Sequence, residues 1–316
     1  MDCVSSVSFS FLINGSPRGC VSPSRGLHQG DPFSPYLFLI CAEGLSALLR
    51  HAESSGAISG IRCGRIGPRI LHLFFADHSL LFLRARLSDC EAIKSLLHLY
   101  SQASGQLVNF EKSAISFSPQ VSNLVRNMLS NVLGVSSVAC HTKYLGLPSF
   151  SGRDRSGLFS DIKNLVWHRL KGWQHRFFSA GGREILLKAV IQAIPQYSMQ
   201  LFRLPKCFIR DLHRLCARFW LGGSDTTRKI HWKSWKFLCQ NKLNGGLGFH
   251  NMESFNQSLL AKQGWRIIQF PNSLAAKVLK GLYFPHSSFL QAKIKHDSSL
   301  IWCSILWGRD LLARGL

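Results

Sequence analysis

Acidic residues are scarce in this chain: 16 Asp and Glu stand against 38 Lys and Arg, a formal charge of +22 over 316 residues. That excess selects no fold. It points to a polyanionic partner, nucleic acid most simply and an anionic membrane surface less simply. Closely spaced cysteine pairs are also lacking. The ten cysteines never form a C-x-x-C pair, which excludes the spacing of a zinc ribbon or finger and leaves reduced thiols of an intracellular protein as the expectation, nucleus and cytoplasm not being distinguishable. Apolar runs such as Leu37 to Ala42 fall far short of the roughly 18 residues that argue for a membrane span, so no membrane role is expected. Met1 to Ser10 carries Asp2 and no basic cluster ahead of a long apolar core, so neither a signal nor a transit peptide is expected.

What is present is the composition of a folded protein. Apolar residues make up 46% of the chain, with 22 Phe, 8 Trp and 5 Tyr, whereas disordered chains are poor in aromatics. The length suffices for one or two domains with a sizeable core. Charge is unevenly placed: 12 basic and 8 acidic residues up to Phe150 give +4, while 26 basic and 8 acidic residues after it give +18. Scattered Lys and Arg ordinarily just solvate helix faces. Here too little acid compensates them. The segment from Arg228 to Lys242 interleaves His231, Trp232, Lys233, Trp235, Lys236 and Phe237. Phosphate contacts plus base stacking would use such a mixture, and a core position for the tryptophans is an equal alternative that periodicity does not decide.

The pattern of elements changes along the chain. A Gly/Pro/Ser-rich stretch from Gly15 to Gly30 leads into Asp31-Pro32-Phe33-Ser34-Pro35, a helix entry, after which Leu37, Ile40, Cys41, Leu45 and Leu48 keep helical spacing. Ile70 to Ala76 and Leu80 to Leu83 are apolar runs around the polar pair Asp77-His78, which predicts an antiparallel hairpin with the acid at its tip. Ser88 to Glu91 reads as a capping box, followed by a helix through Ile93, Leu96, Leu97, Tyr100 and Ala103 that Gly105 ends. Leu107 to Ser118 reads as a second hairpin or bent strand around Glu111-Lys112. Beyond Phe150 the patterns are helical: Leu158 to Trp173, Glu184 to Ile194, Ile209 with Leu212, Cys216 and Phe219, and Phe255 to Ile268. The expected fold class is α+β, with a sheet-containing region over residues 1–150 and a helical basic region over residues 151–316, the boundary lying near Gly146 to Gly157.

Several motifs stand in a fixed order. Arg25 to Phe38, with Gln29-Gly30-Asp31-Pro32 at its centre, is followed by Leu73-Phe74-Phe75-Ala76-Asp77, then by Gly105-Gln106-Leu107-Val108-Asn109-Phe110-Glu111-Lys112-Ser113, then by Tyr144-Leu145-Gly146. This series resembles the polymerase palm of plant LINE-type non-LTR retrotransposon reverse transcriptases. Ile230-His231-Trp232, Gly245-Gly246-Leu247-Gly248-Phe249 and Ser304 to Arg309 resemble the connection beyond that palm. The resemblance implies a partial palm, an antiparallel sheet with helices, followed by a thumb- or connection-like region. It implies RNA-directed DNA polymerase as the family activity, Mg2+ as the cofactor, dNTP as substrate and an RNA or DNA template-primer as partner.

The resemblance also assigns roles: Asp77 matches a catalytic metal ligand, Gln29 and Gly30 match residues beside the incoming nucleotide and template, and Lys112 matches a lysine near the triphosphate. Apart from the resemblance, the mixture of basic and aromatic residues makes Trp232, Lys233, Trp235 and Lys236 the candidate nucleic-acid contacts. Nucleotidyl transfer uses two divalent ions about 4 Å apart, held by hard carboxylate oxygens. Here the usual Ala-Asp-Asp tip reads Ala76-Asp77-His78. The family's first catalytic aspartate belongs to a motif well upstream of Arg25, and Met1 stands only a short way before that segment. The expectation is therefore a catalytically inactive fragment, because positioning and metal charge supply most of the catalysis of this class. A non-catalytic nucleic-acid-binding polypeptide, or a non-functional remnant, is the alternative. Turn, helix start and solvated hairpin residue remain the ordinary roles of Gln29 to Pro32 and Lys112.

Overall fold

The computed structural model describes residues 7–23, 30–138, 143–148, 159–173, 177–222 and 232–315. Gln29, Ile230, His231, the stretch Arg25 to Gln29 and residues 149–157 of the expected boundary lie outside them. The chain is α+β, and its backbone contacts divide it into two compact units, one of Met1–Arg62 with Arg69–His141, the other of Cys63–Pro68 with Thr142–Leu316.

Among the described residues, the first unit is built from short strand pairs and three helices. Strands β1 (Phe9–Ile13) and β2 (Ser16–Val21) form an antiparallel ribbon. Asn14 and Gly15 both hold positive φ, the two-residue turn whose twist suits a hairpin, and so the start of the Gly/Pro/Ser-rich stretch, Ser16–Val21, is a strand. Helix α1 (Ser34–Ser54) starts where the prolines allow and buries only its second half, through Leu45, Ser46, Leu49 and Ala52, while Tyr36, Leu39 and Ile40 stay exposed. Strands β3 (Ile61–Arg62) and β4 (Arg69–Ile70) pair antiparallel, as do β5 (His72–Phe75) and β6 (His78–Leu81). Helix α2 (Leu87–Ser104) packs Ile93 and Tyr100 against Leu49, Ile58 and Leu71, with Phe74 and Leu81 of the β5–β6 hairpin on the margin of that core.

Two local expectations are corrected here. The helix begins at Leu87 with Arg86 as an extended cap residue, so Ser88 lies inside the first turn and donates to Asp89 Oδ1 at 3.2 Å instead of forming a capping box. Its far end is as expected, Gly105 taking φ 70° in a left-handed cap. The segment Leu107–Ser118 is no hairpin: only β7 (Ala114–Ile115) is a strand, and it pairs in parallel with β8 (Ser136–Ser137) beyond helix α3 (Asn123–Leu133). The turn itself is real, with Lys112 N–H donating to Asn109 Oδ1 at 3.1 Å.

In the second unit, β9 (Lys143–Tyr144) and β10 (Leu147–Pro148) meet at a two-residue turn, Leu145 and Gly146 both at positive φ. The rest is helical: α4 (Ser160–Gly172), α5 (Ala180–Leu186) running on as a π-helical turn over Leu187–Ile191, α6 (Gln196–Met199), α7 (Lys206–Leu221), α8 (Trp235–Leu238), α9 (Met252–Gln269), α10 (Leu274–Tyr283) and α11 (Leu300–Gly315). The amphipathic spacing of α7 puts Ile209, Leu212, Cys216 and Phe219 into one core with Leu187, Ile191 and Met199. A second core is aromatic: Trp302, fully buried, stacks on Tyr283 at 4.7 Å and on Phe284 at 5.4 Å between ring centroids. Among the described residues no helix is long and apolar enough to cross a membrane.

Candidate nucleic-acid interface

Asp77 sits at the tip of the β5–β6 hairpin, as the sequence predicts, with one shift. The two-residue turn is Ala76-Asp77, and His78 already belongs to the return strand, paired with Phe75. Both Asp77 and His78 are exposed. Ala76 holds φ 49°, a left-handed conformation that costs an L residue on the order of 1 kcal/mol and that tends to be retained at functional turns. At the base of the hairpin, Ser46 Oγ and His72 Nε2 lie 2.9 Å apart, and burial holds the His72 imidazole below its ordinary pKa.

The donor set decides what this turn can hold. A two-ion site needs several hard oxygens within one coordination sphere, and among the described residues no three His, Cys, Asp or Glu side chains come together. Imidazole is a poor substitute for a carboxylate on magnesium. The described residues around this turn do not fit a divalent pair. Gly30, at φ 98° with open space around it, leads into Asp31, whose Oδ1 accepts from Phe33 N–H at 3.0 Å. Lys112 is exposed in its turn. Among the described residues no hydrogen bond or ion pair joins Asp77, Gly30 and Lys112.

The basic segment of the second unit resolves into two opposed positions. Ser234 caps α8 by accepting from Phe237 N–H at 3.2 Å, and this turn sends the two tryptophans in different directions. Trp235 packs against the core, its ring stacked on buried Phe249 at 4.8 Å and 15°. Trp232 is 85% exposed. Lys233 and Lys236 are also exposed, with the Lys233 ammonium 4.4 Å from the centroid of the Phe237 ring. The core role offered for the tryptophans therefore applies to Trp235, and the stacking role has only Trp232 to rest on.

Gly245 to Phe249 form the brace beneath this segment. Leu247 N–H donates to Leu238 O and Gly248 N–H to Gln240 O, both at 2.9 Å. Lys188, on the π-helical turn, reaches Leu247 O at 2.6 Å and Glu184 Oε1 at 2.7 Å, while Lys242 reaches the same carboxylate at 3.1 Å. Those two lysine contacts hold the Glu184 carboxyl below its usual range. Sequence reasoning missed this cluster, though the i,i+4 spacing of Glu184 and Lys188 was its visible half. It also missed Asn256, fully buried on α9, which accepts from Leu204 N–H and donates to Met199 O and Phe202 O.

The buried thiols are inert. Burial pushes Cys216 up to about 12 and Cys239 up to about 11, so neither is a thiolate at neutral pH. His213 behaves oppositely: burial lowers its pKa against the opposing pull of Glu253, and its Nε2 accepts from Met252 N–H at 3.4 Å. A histidine base depressed on folding binds its proton more readily when unfolded, so His213 and His72 contribute stability above the ordinary value of 6.5 that is lost as pH falls below it. Melting temperature should be level from pH 8 to about 7 and decline from about 6.5 downward, ahead of any carboxylate effect. His213→Asn should shallow that decline; an unchanged pH profile in the variant would contradict the assignment.

No family model matches the chain. It is 44% identical over 125 residues to the uncharacterized mitochondrial protein AtMg00310 of Arabidopsis thaliana, a match covering 39% of this chain and 81% of that protein. It is 60% identical over 67 residues to the uncharacterized mitochondrial protein AtMg01250 of the same plant, 21% of this chain and 55% of the relative. It is 33% identical over 175 residues to the putative ribonuclease H protein At1g65750, also of Arabidopsis thaliana, 54% of this chain but only 28% of that longer protein. By the extent of the first of these matches, the chain belongs to the family of the mitochondrial protein AtMg00310.

Proposed function

We propose that the chain is a retroelement-derived, reverse-transcriptase-like polypeptide that binds nucleic acid and does not polymerise it. The observation that carries the reading is the charge of the second unit. Three of its eight acids, Glu184, Asp211 and Glu253, are already engaged by lysines and arginines. Lys233, Lys236, Lys262, Lys277 and Lys280 are exposed and enter no ion pair among the described residues. Such cations gain by displacing the counterions of a phosphate backbone, which gives affinity without sequence preference. The ordered palm-like motifs, and a relative named as a putative ribonuclease H protein, support a retroelement origin.

The catalytic half of the reading rests on Asp77. One exposed carboxylate beside a histidine supplies too little negative charge to organise two divalent ions around a triphosphate. Primer extension on an RNA template with Mg2+ or Mn2+ should therefore give no product above background. Template-dependent synthesis that Asp77→Asn abolishes would overturn this part of the proposal.

A further inference from the structure

We infer that Trp232 is a stacking platform that makes the second unit prefer single-stranded over duplex nucleic acid. This rests on the nucleic-acid reading above and adds to it the strandedness of the partner. Of the eight tryptophans, Trp232 is the most exposed, at 85%, where Trp302 is fully buried and Trp235 lies against Phe249. An indole that open to water is a poor use of apolar area in a folded chain unless something covers it. Its flanks indicate what would. Lys233 and Lys236 place two cations within a turn of it, and no acid lies between Lys229 and Glu253 in the sequence.

The mount is rigid. Ser234 fixes the turn, Trp235 anchors it on Phe249, and the hydrogen bonds from Leu247 and Gly248 hold the far side of α8. An aromatic face on a braced support, with cations beside it, accepts an unstacked base together with its phosphate. Paired bases in a duplex are already stacked and present no free face, so duplexes would meet the lysines alone.

The test measures affinity of the full chain for a fluorescent oligouridylate of about 20 nucleotides and for a duplex of equal length, at fixed salt. Binding of the wild type should be tighter to the single strand. Trp232→Ala should weaken single-strand binding by about 5- to 150-fold with duplex affinity nearly unchanged, and Trp232→Phe should retain most of the single-strand affinity. Thermal melting should be unaltered in both variants, since the side chain is outside the core. Equal losses on both probes, or no loss on either, would overturn the platform while leaving the charge-based reading standing. Failure of the wild type to bind either probe would remove that reading as well.

Discussion

Replacing Asn256 by Ala should cost on the order of 3–5 kcal/mol and lower the urea midpoint of the second unit accordingly. The side chain is fully buried and makes three hydrogen bonds to backbone groups at the end of α6 and in the loop after it: Leu204 N–H at 2.9 Å, Met199 O at 2.7 Å and Phe202 O at 2.9 Å. That loop joins α6 to α7 and has no secondary-structure ladder of its own. Removing the amide strands three buried polar groups, each costing about 1–3 kcal/mol when unpaired, with partial relaxation reducing the sum. Asn256→Asp is the informative companion. It keeps an acceptor for Leu204 but turns a carboxylate toward two carbonyl oxygens, and it should destabilise at least as much as alanine. A near-neutral aspartate would mean that the network is not what holds the loop.

Gly308→Ala should be strongly destabilising, because α9 and α11 cross there at backbone distance. A Cβ at position 308 would stand 2.5 Å from Ala261 N and 2.5 Å from Leu260 C, both main-chain atoms that move only if a helix moves. Alanine would gain about 1 kcal/mol of helix propensity and lose more to the clash, for a net loss of about 2–3 kcal/mol. Thermal melting should fall by roughly 5–10 °C for a unit of this size. Ser304, one turn earlier on α11, accepts from Arg203 N–H at 2.9 Å and so ties the same crossing to the α6–α7 loop. A Gly308→Ala protein as stable as the wild type would show that the helices part easily at this point.

The sequence discloses elements whose own periodicity sets their burial. Helix α7 is the clearest case, since Ile209, Leu212, Cys216 and Phe219 fall on one face and all four are buried. The Asp77 hairpin is equally legible, two apolar runs around a polar break leaving little else for the chain to do. What escapes is whatever depends on partners distant in sequence. Ala114–Ile115 has strand character, but its partner lies beyond a helix, and no local pattern announces a parallel pairing. Ser88 with Glu91 satisfies a capping pattern, yet the helix starts at Leu87 with Arg86 as its cap residue, so the box is two positions out of place. The tryptophans show the same limit in the candidate site. Trp232 and Trp235 have similar flanks in the sequence, and only the Ser234 turn and the distant Phe249 separate the exposed ring from the packed one.

The proposed function joins phosphate recognition by the basic second unit to a hairpin with too few carboxylates for metal-dependent transfer. The most direct measurement is the affinity of the full chain for a single-stranded RNA as a function of salt. Each phosphate neutralised contributes about 0.7 to the log–log slope on single strands, so contact with roughly four to seven phosphates predicts a slope of about −3 to −5. A flat response would contradict the account, leaving the exposed lysines as solvated surface and the chain without a nucleic-acid partner.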